Sequence, residues 1–249
     1  MEKEKPLDCL CIKSIDYKDN DKLITLYAFG EGKITASLKG VKKSKAKLKY
    51  ASTLLCFGKY YFTGRNGYYN VIGCDLIDNF YGIWTDIDKY YPALCSLEIL
   101  DKIADDREIG DKLAVLTLEF LNQLCYKSNN NFLTLTKYLN KVVKVLGYEL
   151  NMACVNCGEQ RPSKFYYSFL KSGLVCDNCN DFGAILLSDN TIKILNELNI
   201  SNFENYNNFD NEDYIICVRI FFDIIGKNLA KKFKTFEEYI LFYNKIINY

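Results

Sequence analysis

The chain has 249 residues, 49% hydrophobic and 25% charged, with a net charge of +1, a balance typical of globular proteins. It contains no histidine, which excludes Ser-His-Asp triads, Cys-His dyads and catalytic metals held by imidazole. No run of about 18 uncharged apolar residues occurs, and no signal-like apolar segment follows the charged residues 1–6, so we expect a cytoplasmic protein without a membrane partner.

The first 80 residues have the pattern of β-strands. Lys33–Leu38 alternates between apolar and polar side chains, as in a half-buried strand, and Gly30-Glu31-Gly32 before it is a hairpin signal. The predicted strands are Leu7–Ile15, Leu23–Phe29, Lys33–Leu38, Leu54–Thr63 and Tyr68–Ile77. Five strands in about 75 residues favour a small closed barrel, because closure removes exposed edges. An oligonucleotide-binding (OB) barrel is the predicted fold, and the pattern leaves a five-stranded SH3-like barrel open.

After residue 80 the apolar period becomes helical. A helix is predicted over Ile87–Ala104, and Gly147 is a predicted C-terminal helix stop. Two further amphipathic helices carry apolar stripes with helical spacing. Their stripes are Leu113, Leu116, Thr117, Phe120, Leu121 and Leu124 in one, and Leu135, Tyr138, Leu139, Val142, Val143 and Leu146 in the other.

The C-terminal part also predicts helices. Ser188 or Asp189 caps a short helix through Leu198, and the Asn-rich stretch Ser201–Asp213 is a predicted loop. A helix over Asp213–Lys232 is apolar nearly all round, so we expect it to be the buried central helix, and a last helix covers Thr235–Asn248. We group residues 81–150 and 185–249 into one helical domain.

Residues 151–184 form a cysteine module inserted into that helical domain. Cys154 and Cys157 are separated by two residues, as are Cys176 and Cys179, with eighteen residues between the pairs. Two such pairs place four thiolates around one tetrahedral ion, so we predict a four-cysteine zinc ribbon with a structural zinc ion (Zn²⁺). A redox dithiol is the main alternative for a single Cys-x-x-Cys, but two pairs at this spacing favour a metal. An iron–sulfur cluster is a weaker alternative, because its cysteines are usually spaced differently.

Seven further cysteines lie in strand or helix patterns, and we expect them to be small buried hydrophobes. They are Cys9, Cys11, Cys56, Cys74, Cys95, Cys125 and Cys217. An odd total of eleven in a cytoplasmic chain argues against a disulfide framework. No phosphate-binding loop of the Gly-x-x-x-x-Gly-Lys-Ser/Thr type occurs and no acidic pair assembles into an active site, so we expect a protein that is not an enzyme.

The charge is unevenly distributed along the chain. Nine of the 32 basic residues lie in Gly32–Cys74, which contains no acidic residue. The rest of the chain has 23 basic and 31 acidic residues. Six lysines follow the third strand: Lys39, Lys42, Lys43, Lys45, Lys47 and Lys49. A one-signed loop on a barrel rim attracts phosphate. We therefore predict nucleic-acid contact by these six lysines. The neighbouring strands also carry Tyr60, Tyr61, Phe62, Tyr68 and Tyr69; such residues more often belong to the core, and an exposed one would offer a surface for base stacking.

The order of barrel, basic loop, helices and four-cysteine ribbon resembles the RecO family of bacterial recombination mediators over essentially the whole chain. The most specific match is Thr25–Thr35, strand-hairpin-strand, leading into the basic segment Lys39–Lys45. The second is Cys154-Val-Asn-Cys157-Gly158 with Gly173-Leu-Val-Cys176-Asp-Asn-Cys179. Some family members lack these cysteines, and family members often use Arg where this chain has Lys, a point charge without bidentate geometry.

The resemblance implies an α+β multidomain protein: an OB-type barrel over residues 1–80, a helical domain over 81–150 and 185–249, and the zinc ribbon over 151–184. It implies binding of single- and double-stranded DNA through Lys39, Lys42, Lys43 and Lys45, annealing of complementary strands, and help in loading recombinase at gaps. The implied partners are RecR and the acidic C-terminal tail of single-stranded DNA-binding protein (SSB), in a nucleoid-associated, cytoplasmic setting.

Two other functions stay open from the residues alone. The first is an RNA-binding barrel-and-ribbon protein, which would exploit the 2′-hydroxyl. The second is a protein–protein adaptor in which zinc and helices form the scaffold and the lysines only solubilise the chain. The ribbon itself could touch nucleic acid through Arg161, Lys164 or Lys171.

Overall fold

The structure, a computed structural model, describes residues 6–65, 67–200 and 209–247. It divides into two compact units, Met1–Lys127 and Ser128–Tyr249. Among the described residues, no helix combines the length and the apolar character that crossing a membrane requires.

The first unit begins with five strands that close into a barrel in the order β1-β2-β3-β5-β4. The strands are β1 Leu7–Tyr17, β2 Asp21–Ala28, β3 Gly32–Leu38, β4 Phe57–Arg65 and β5 Tyr68–Asp78. Antiparallel pairing of β1 with β4 closes the barrel, and β3 lies parallel to β5 at Ala36–Tyr69 and Ser37–Asn70. The prediction of a five-stranded closed barrel of OB type is confirmed.

The barrel interior is filled by the apolar side of each strand, as the alternation in β3 predicts. Ile24, Leu26, Ala36 and Leu38 are at most 1% exposed and belong to one core cluster. The seven cysteines outside the ribbon are all buried, as expected for small hydrophobes.

Three helices follow in the first unit: α1 Tyr81–Trp84, α2 Ile87–Ile103 and α3 Arg107–Tyr126. Asp86 caps α2 by accepting from Asp88 N–H, and Asp106 caps α3 by accepting from Ile109 N–H. The barrel is joined to these helices by Lys33, whose Nζ lies 2.6 Å from Asp105 Oδ1 and donates to Asp101 O at 2.7 Å.

The second unit holds helices and the ribbon. The helices are α4 Asn131–Val145, α5 Asp189–Ile200, α6 Asn211–Leu229 and α7 Lys234–Ile247, and the ribbon strands are β6 Phe165–Ser168, β7 Gly173–Cys176 and β8 Ile185–Leu186. The sheet order is β7-β6-β8. Helix α6 packs against α4 and α5 and has buried side chains on most of its circumference, so the prediction of a buried central helix is confirmed within this unit.

Several element boundaries differ from the predicted ones. The fourth strand starts at Phe57 rather than Leu54, because Leu55 has a left-handed φ of 67° and its N–H bonds to Cys11 O outside any ladder. Helix α6 starts two residues earlier than predicted, and residues 201–208 of the predicted loop lie outside the described residues. The predicted boundary after residue 80 lies inside the first compact unit and those near 150 and 185 lie inside the second, so the three-domain division stays a prediction.

Candidate metal centre and nucleic-acid interface

The first cysteine pair lies in a tight turn fixed by backbone hydrogen bonds. Gly158 N–H donates to Cys154 O at 2.8 Å, and Cys154 N–H donates to Glu159 O at 2.8 Å. Gly158 has φ +78°, where a residue without Cβ is favoured. Val155 N–H donates to Leu174 O at 2.8 Å and ties this turn to β7. The second pair follows directly, since Cys176 ends β7 and a single 3₁₀ turn carries the chain to Cys179.

The four cysteine sulfurs converge on one point. The Sγ atoms of Cys154, Cys157, Cys176 and Cys179 all lie within 4.8 Å of one another, and those of Cys157 and Cys176 are 3.7 Å apart. Four sulfurs at about 2.3 Å from a tetrahedral ion are about 3.8 Å apart. The spacing therefore brings together the four predicted residues in an arrangement that can hold a metal ion.

Electrostatics of the cluster also favour a cation. Burial raises the pKa of Cys154, but backbone hydrogen bonds, chiefly from Cys176 and Cys157, outweigh it and lower the pKa to about 6. The hydrogen bond with the Cys176 thiol raises the pKa of Cys179 to about 12. A thiolate at one position thus disfavours ionisation of its neighbours, and a cation at the centre of the cluster would offset this effect.

The ribbon is anchored to α6 by one carboxylate. Tyr167 Oη and Ser172 Oγ donate to Asp223 Oδ2 at 2.8 and 2.9 Å. At the hairpin, Ser168 Oγ donates to Asp181 Oδ2 at 2.7 Å, and Lys171 Nζ lies 3.5 Å from the same oxygen. The three ribbon residues suggested for nucleic acid, Arg161, Lys164 and Lys171, are all exposed, and Lys171 is in addition paired with Asp181.

The basic loop, Lys39–Lys49, is held in place by its backbone. Gly40, with φ +65°, donates its N–H to Asp21 Oδ1 at 2.7 Å, and Lys42 N–H donates to Asn20 O at 3.0 Å. Val41 is 3% exposed and packs into the barrel core. Sequence reasoning missed Asn20 and Asp21, whose only signal is their place at the end of the β1–β2 turn and the start of β2.

The structure exposes all six lysines of the basic loop. Lys42 Nζ lies 2.7 Å from Asp16 Oδ2, and this hydrogen bond lowers the pKa of the Asp16 carboxyl. Within the described residues, the structure shows no carboxylate within ion-pair distance of Lys39, Lys43, Lys45, Lys47 or Lys49. The loop therefore presents a positive surface that its own unit leaves largely uncompensated.

The five aromatic candidates separate into different environments. Tyr60 and Phe62 are buried in the barrel, and Tyr61 Oη donates to Asp75 Oδ2 at 2.7 Å. Tyr69 is half-buried, whereas Tyr68 is 82% exposed at the start of β5. Only Tyr68 of these five offers its ring largely to solvent.

The sequence matches two family descriptions, Recombination protein O N terminal over residues 1–80 and Recombination protein O C terminal over residues 84–236. A DNA repair protein RecO of Clostridium novyi is 32% identical over 186 residues, which is 72% of this chain and 70% of that protein. A second, of Clostridium perfringens, is 31% identical over 76% of this chain and 77% of its own. A third, of Acetivibrio thermocellus, is 28% identical over 75% and 76%. The chain therefore belongs to the RecO family of DNA repair proteins.

Proposed function

We propose that the protein is a non-enzymatic, DNA-binding mediator of recombination and repair. It binds single- and double-stranded DNA, anneals complementary strands and helps to load recombinase onto single-stranded DNA covered by SSB. The observation that carries the proposal is the basic loop on the OB-type barrel: five of its six exposed lysines have no carboxylate partner among the described residues.

Lysine ammonium groups attract phosphate without reading the bases, so the loop suits binding that does not depend on sequence. Lys39, Lys42, Lys43, Lys45, Lys47 and Lys49 are the proposed phosphate contacts. The exposed ring of Tyr68 in the same unit adds a surface on which a single-stranded base can stack.

We assign a structural zinc ion to Cys154, Cys157, Cys176 and Cys179. An all-cysteine set suits Zn²⁺, and four protein ligands leave no coordination position for a substrate. The chemistry that the ion supplies is the neutralisation of the clustered thiolates, which closes the ribbon.

The proposed protein partners are RecR and the C-terminal tail of SSB. The proposed location of the protein is the cytoplasm, in association with the nucleoid. Family membership supports this proposal.

The test is a salt titration of binding to a fluorescent single-stranded DNA oligonucleotide, read by anisotropy. The variant changes Lys43, Lys45 and Lys47 to Ala, and the matched control changes Lys112, Lys127 and Lys193, exposed lysines elsewhere. At about 0.7 per phosphate contact, losing three contacts makes the log–log slope shallower by about 2, while the control keeps the wild-type slope. An unchanged slope in the loop variant would contradict the proposal that the lysines of the basic loop contact DNA phosphates.

The matched RNA strand gives the second arm. Tighter binding of RNA than of DNA would favour the RNA-binding alternative, because RNA readers use the 2′-hydroxyl. If neither strand shows salt-dependent binding, the result would favour the protein–protein adaptor alternative.

A further inference from the structure

The basic loop, Lys39–Lys49, lies against the hairpin that joins β1 to β2. Gly40 N–H donates to Asp21 Oδ1 at 2.7 Å, and Lys42 N–H donates to Asn20 O at 3.0 Å. Asp21 is the first residue of β2, and Asn20 precedes it in the turn. Both contacts lie within the first compact unit. The hairpin is therefore the part of the barrel that receives the first turn of the loop.

Asp21 holds the loop at the point where its backbone bends. Gly40 has a φ of +65°, a left-handed conformation that favours glycine. Its N–H bonds to a carboxylate, and a hydrogen bond to a charged acceptor is stronger than one between neutral groups. Val41 follows as part of the barrel core, and Leu48 and Tyr50 pack against the same core at the other end of the loop. The exposed lysines between these residues therefore belong to a segment that is held at both ends.

A second aspartate of the hairpin, Asp16, contacts the loop through a lysine side chain instead. Lys42 Nζ lies 2.7 Å from Asp16 Oδ2, and the two side chains are 35% and 63% exposed, so a phosphate can reach this ion pair. Ion pairs as exposed as this one contribute little to stability. Lys22 lies opposite Asp16 in the β1–β2 ladder, so the carboxylate keeps a cationic neighbour when Lys42 turns to another anion.

We propose that these two aspartates have opposite effects on DNA binding by the basic loop. Asp21 is a positioning residue that holds the loop backbone in the conformation that presents its lysines, whereas Asp16 competes with DNA phosphate for Lys42. Charge alone gives a different expectation, because either aspartate repels phosphate and the loss of either would strengthen binding. The inference rests on the proposed function, since it concerns the DNA-binding loop proposed above.

The first arm of the test compares Asp21→Ala with Asp21→Asn, by anisotropy with a fluorescent single-stranded DNA oligonucleotide at one salt concentration. Both variants lose the same charge, but only asparagine keeps an oxygen that can accept from Gly40 N–H. We expect Asp21→Asn to bind at least as tightly as the wild type. Asp21→Ala should bind at least about fivefold more weakly than Asp21→Asn. Equal affinities of the two variants would overturn the positioning role of Asp21.

Trypsin cleavage after the lysines of the loop, followed by mass spectrometry, reports opening of the loop without DNA. We expect cleavage to be at least about fivefold faster in Asp21→Ala than in Asp21→Asn. Gly40→Ala keeps every charge and the Asp21 carboxylate but disfavours the left-handed backbone, and its added Cβ would meet only the Lys43 side chain, at 3.8 Å. It should also speed cleavage and weaken DNA binding, and it decides the question if Asp21→Ala fails to fold. Wild-type cleavage rates in the folded variants would show that the hairpin does not hold the loop.

The second arm compares Asp16→Asn with Asp19→Asn, which remove the same charge from nearby positions of the hairpin. Asp19 is exposed, and in the part of the chain that the structure describes no cation lies within ion-pair distance of it. We expect Asp16→Asn to strengthen binding of the oligonucleotide by about two- to fivefold, and Asp19→Asn to strengthen it less. An equal increase in both variants, or no increase in Asp16→Asn, would contradict the competition for Lys42.

Failure of the proposed function has a different signature. It would appear as a wild-type protein that shows no salt-dependent binding of DNA. The trypsin cleavage rates test the position of the loop in the absence of DNA, so the two failures are distinguishable.

Discussion

Tyr27 on β2 donates its hydroxyl proton to Asp111 Oδ1 on α3 at 2.9 Å. The same carboxylate oxygen accepts from the backbone N–H of Gly30, in the β2–β3 turn, at 3.1 Å. Tyr27 is fully buried, and Gly110 lies so close that an added Cβ would be 2.6 Å from the Tyr27 hydroxyl. One carboxylate therefore fixes both the barrel wall and its turn to helix α3.

Asp111→Ala should destabilise the protein by about 1–3 kcal/mol, because it leaves the buried Tyr27 hydroxyl and the Gly30 N–H without their acceptor. Tyr27→Phe removes one donor only and should cost about 1 kcal/mol. Urea unfolding measures both, with Asn122→Ala, an exposed position on α3, as the control. An Asp111→Ala protein as stable as the control would contradict the linking role.

The free energy of unfolding should fall as pH rises above about 10, where unfolded tyrosines ionise. Burial raises the pKa of Tyr27, Tyr60 and Tyr167, and for Tyr27 and Tyr167 nearby carboxylates add to the effect. The folded state therefore keeps tyrosine protons that the unfolded state releases. The contribution of these three tyrosines to the free energy of unfolding is complete below about pH 10 and is lost progressively as the pH rises above it. Unfolding from pH 8 to 11, together with tyrosinate absorbance, checks the prediction. Tyrosines that all ionise near pH 10 without loss of stability would contradict it.

Local patterns predicted much of this fold. Alternation in Lys33–Leu38 identified β3, and the apolar stripes of α3 and α4 gave helices that the structure confirms. Gly147, with φ +80°, follows the end of α4 as predicted. The parallel pairing of β3 with β5 and the Tyr27–Asp111 contact join residues distant in sequence, and no local period encodes such contacts.

The candidate sites divide in the same way. The two Cys-x-x-Cys pairs predicted the cluster, because two-residue spacing directs both thiols of a pair to one side. The sequence also identified the basic loop, but not that Lys42 pairs with Asp16 or that Tyr68 is the exposed ring among five candidates. A cavity lined by Phe169 and by residues of Arg219–Leu241 brings together two separated segments, and these residues have the spacing of ordinary core positions.

Cys154→Ser should lower the zinc content well below the about one ion per chain expected for a four-ligand site. It should also lower the midpoint of thermal unfolding, since binding free energy of a structural ion is folding free energy. Zinc is measured by mass spectrometry of the dialysed protein. Cys125→Ala, a buried cysteine of α3 outside the cluster, should keep the full zinc content. Equal zinc loss in both variants would contradict the assignment.

Asp223→Ala should destabilise the second unit by about 1–3 kcal/mol, because the buried Tyr167 hydroxyl loses its acceptor. Asp223→Asn keeps an acceptor oxygen and should cost less. Unfolding of the ribbon in denaturant is measured by the release of zinc. Glu212→Ala, at an exposed position at the start of α6, is the control. Zinc release at the wild-type denaturant concentration in Asp223→Ala would show that the carboxylate does not hold the ribbon.

Tyr68→Ala should weaken binding of single-stranded DNA by about 1–3 kcal/mol, the contribution of one base stacked on an aromatic ring. Because no charge is removed, the salt dependence of binding should stay that of the wild type. Double-stranded DNA should lose less affinity, since its bases are already stacked on one another. Tyr81→Ala, a 67% exposed ring on α1, is the matched control and should bind as the wild type does. Anisotropy with both DNA forms at two salt concentrations measures these differences. Equal losses for Tyr68→Ala and Tyr81→Ala would show that Tyr68 is not a specific stacking surface, and binding would then depend on the lysines alone.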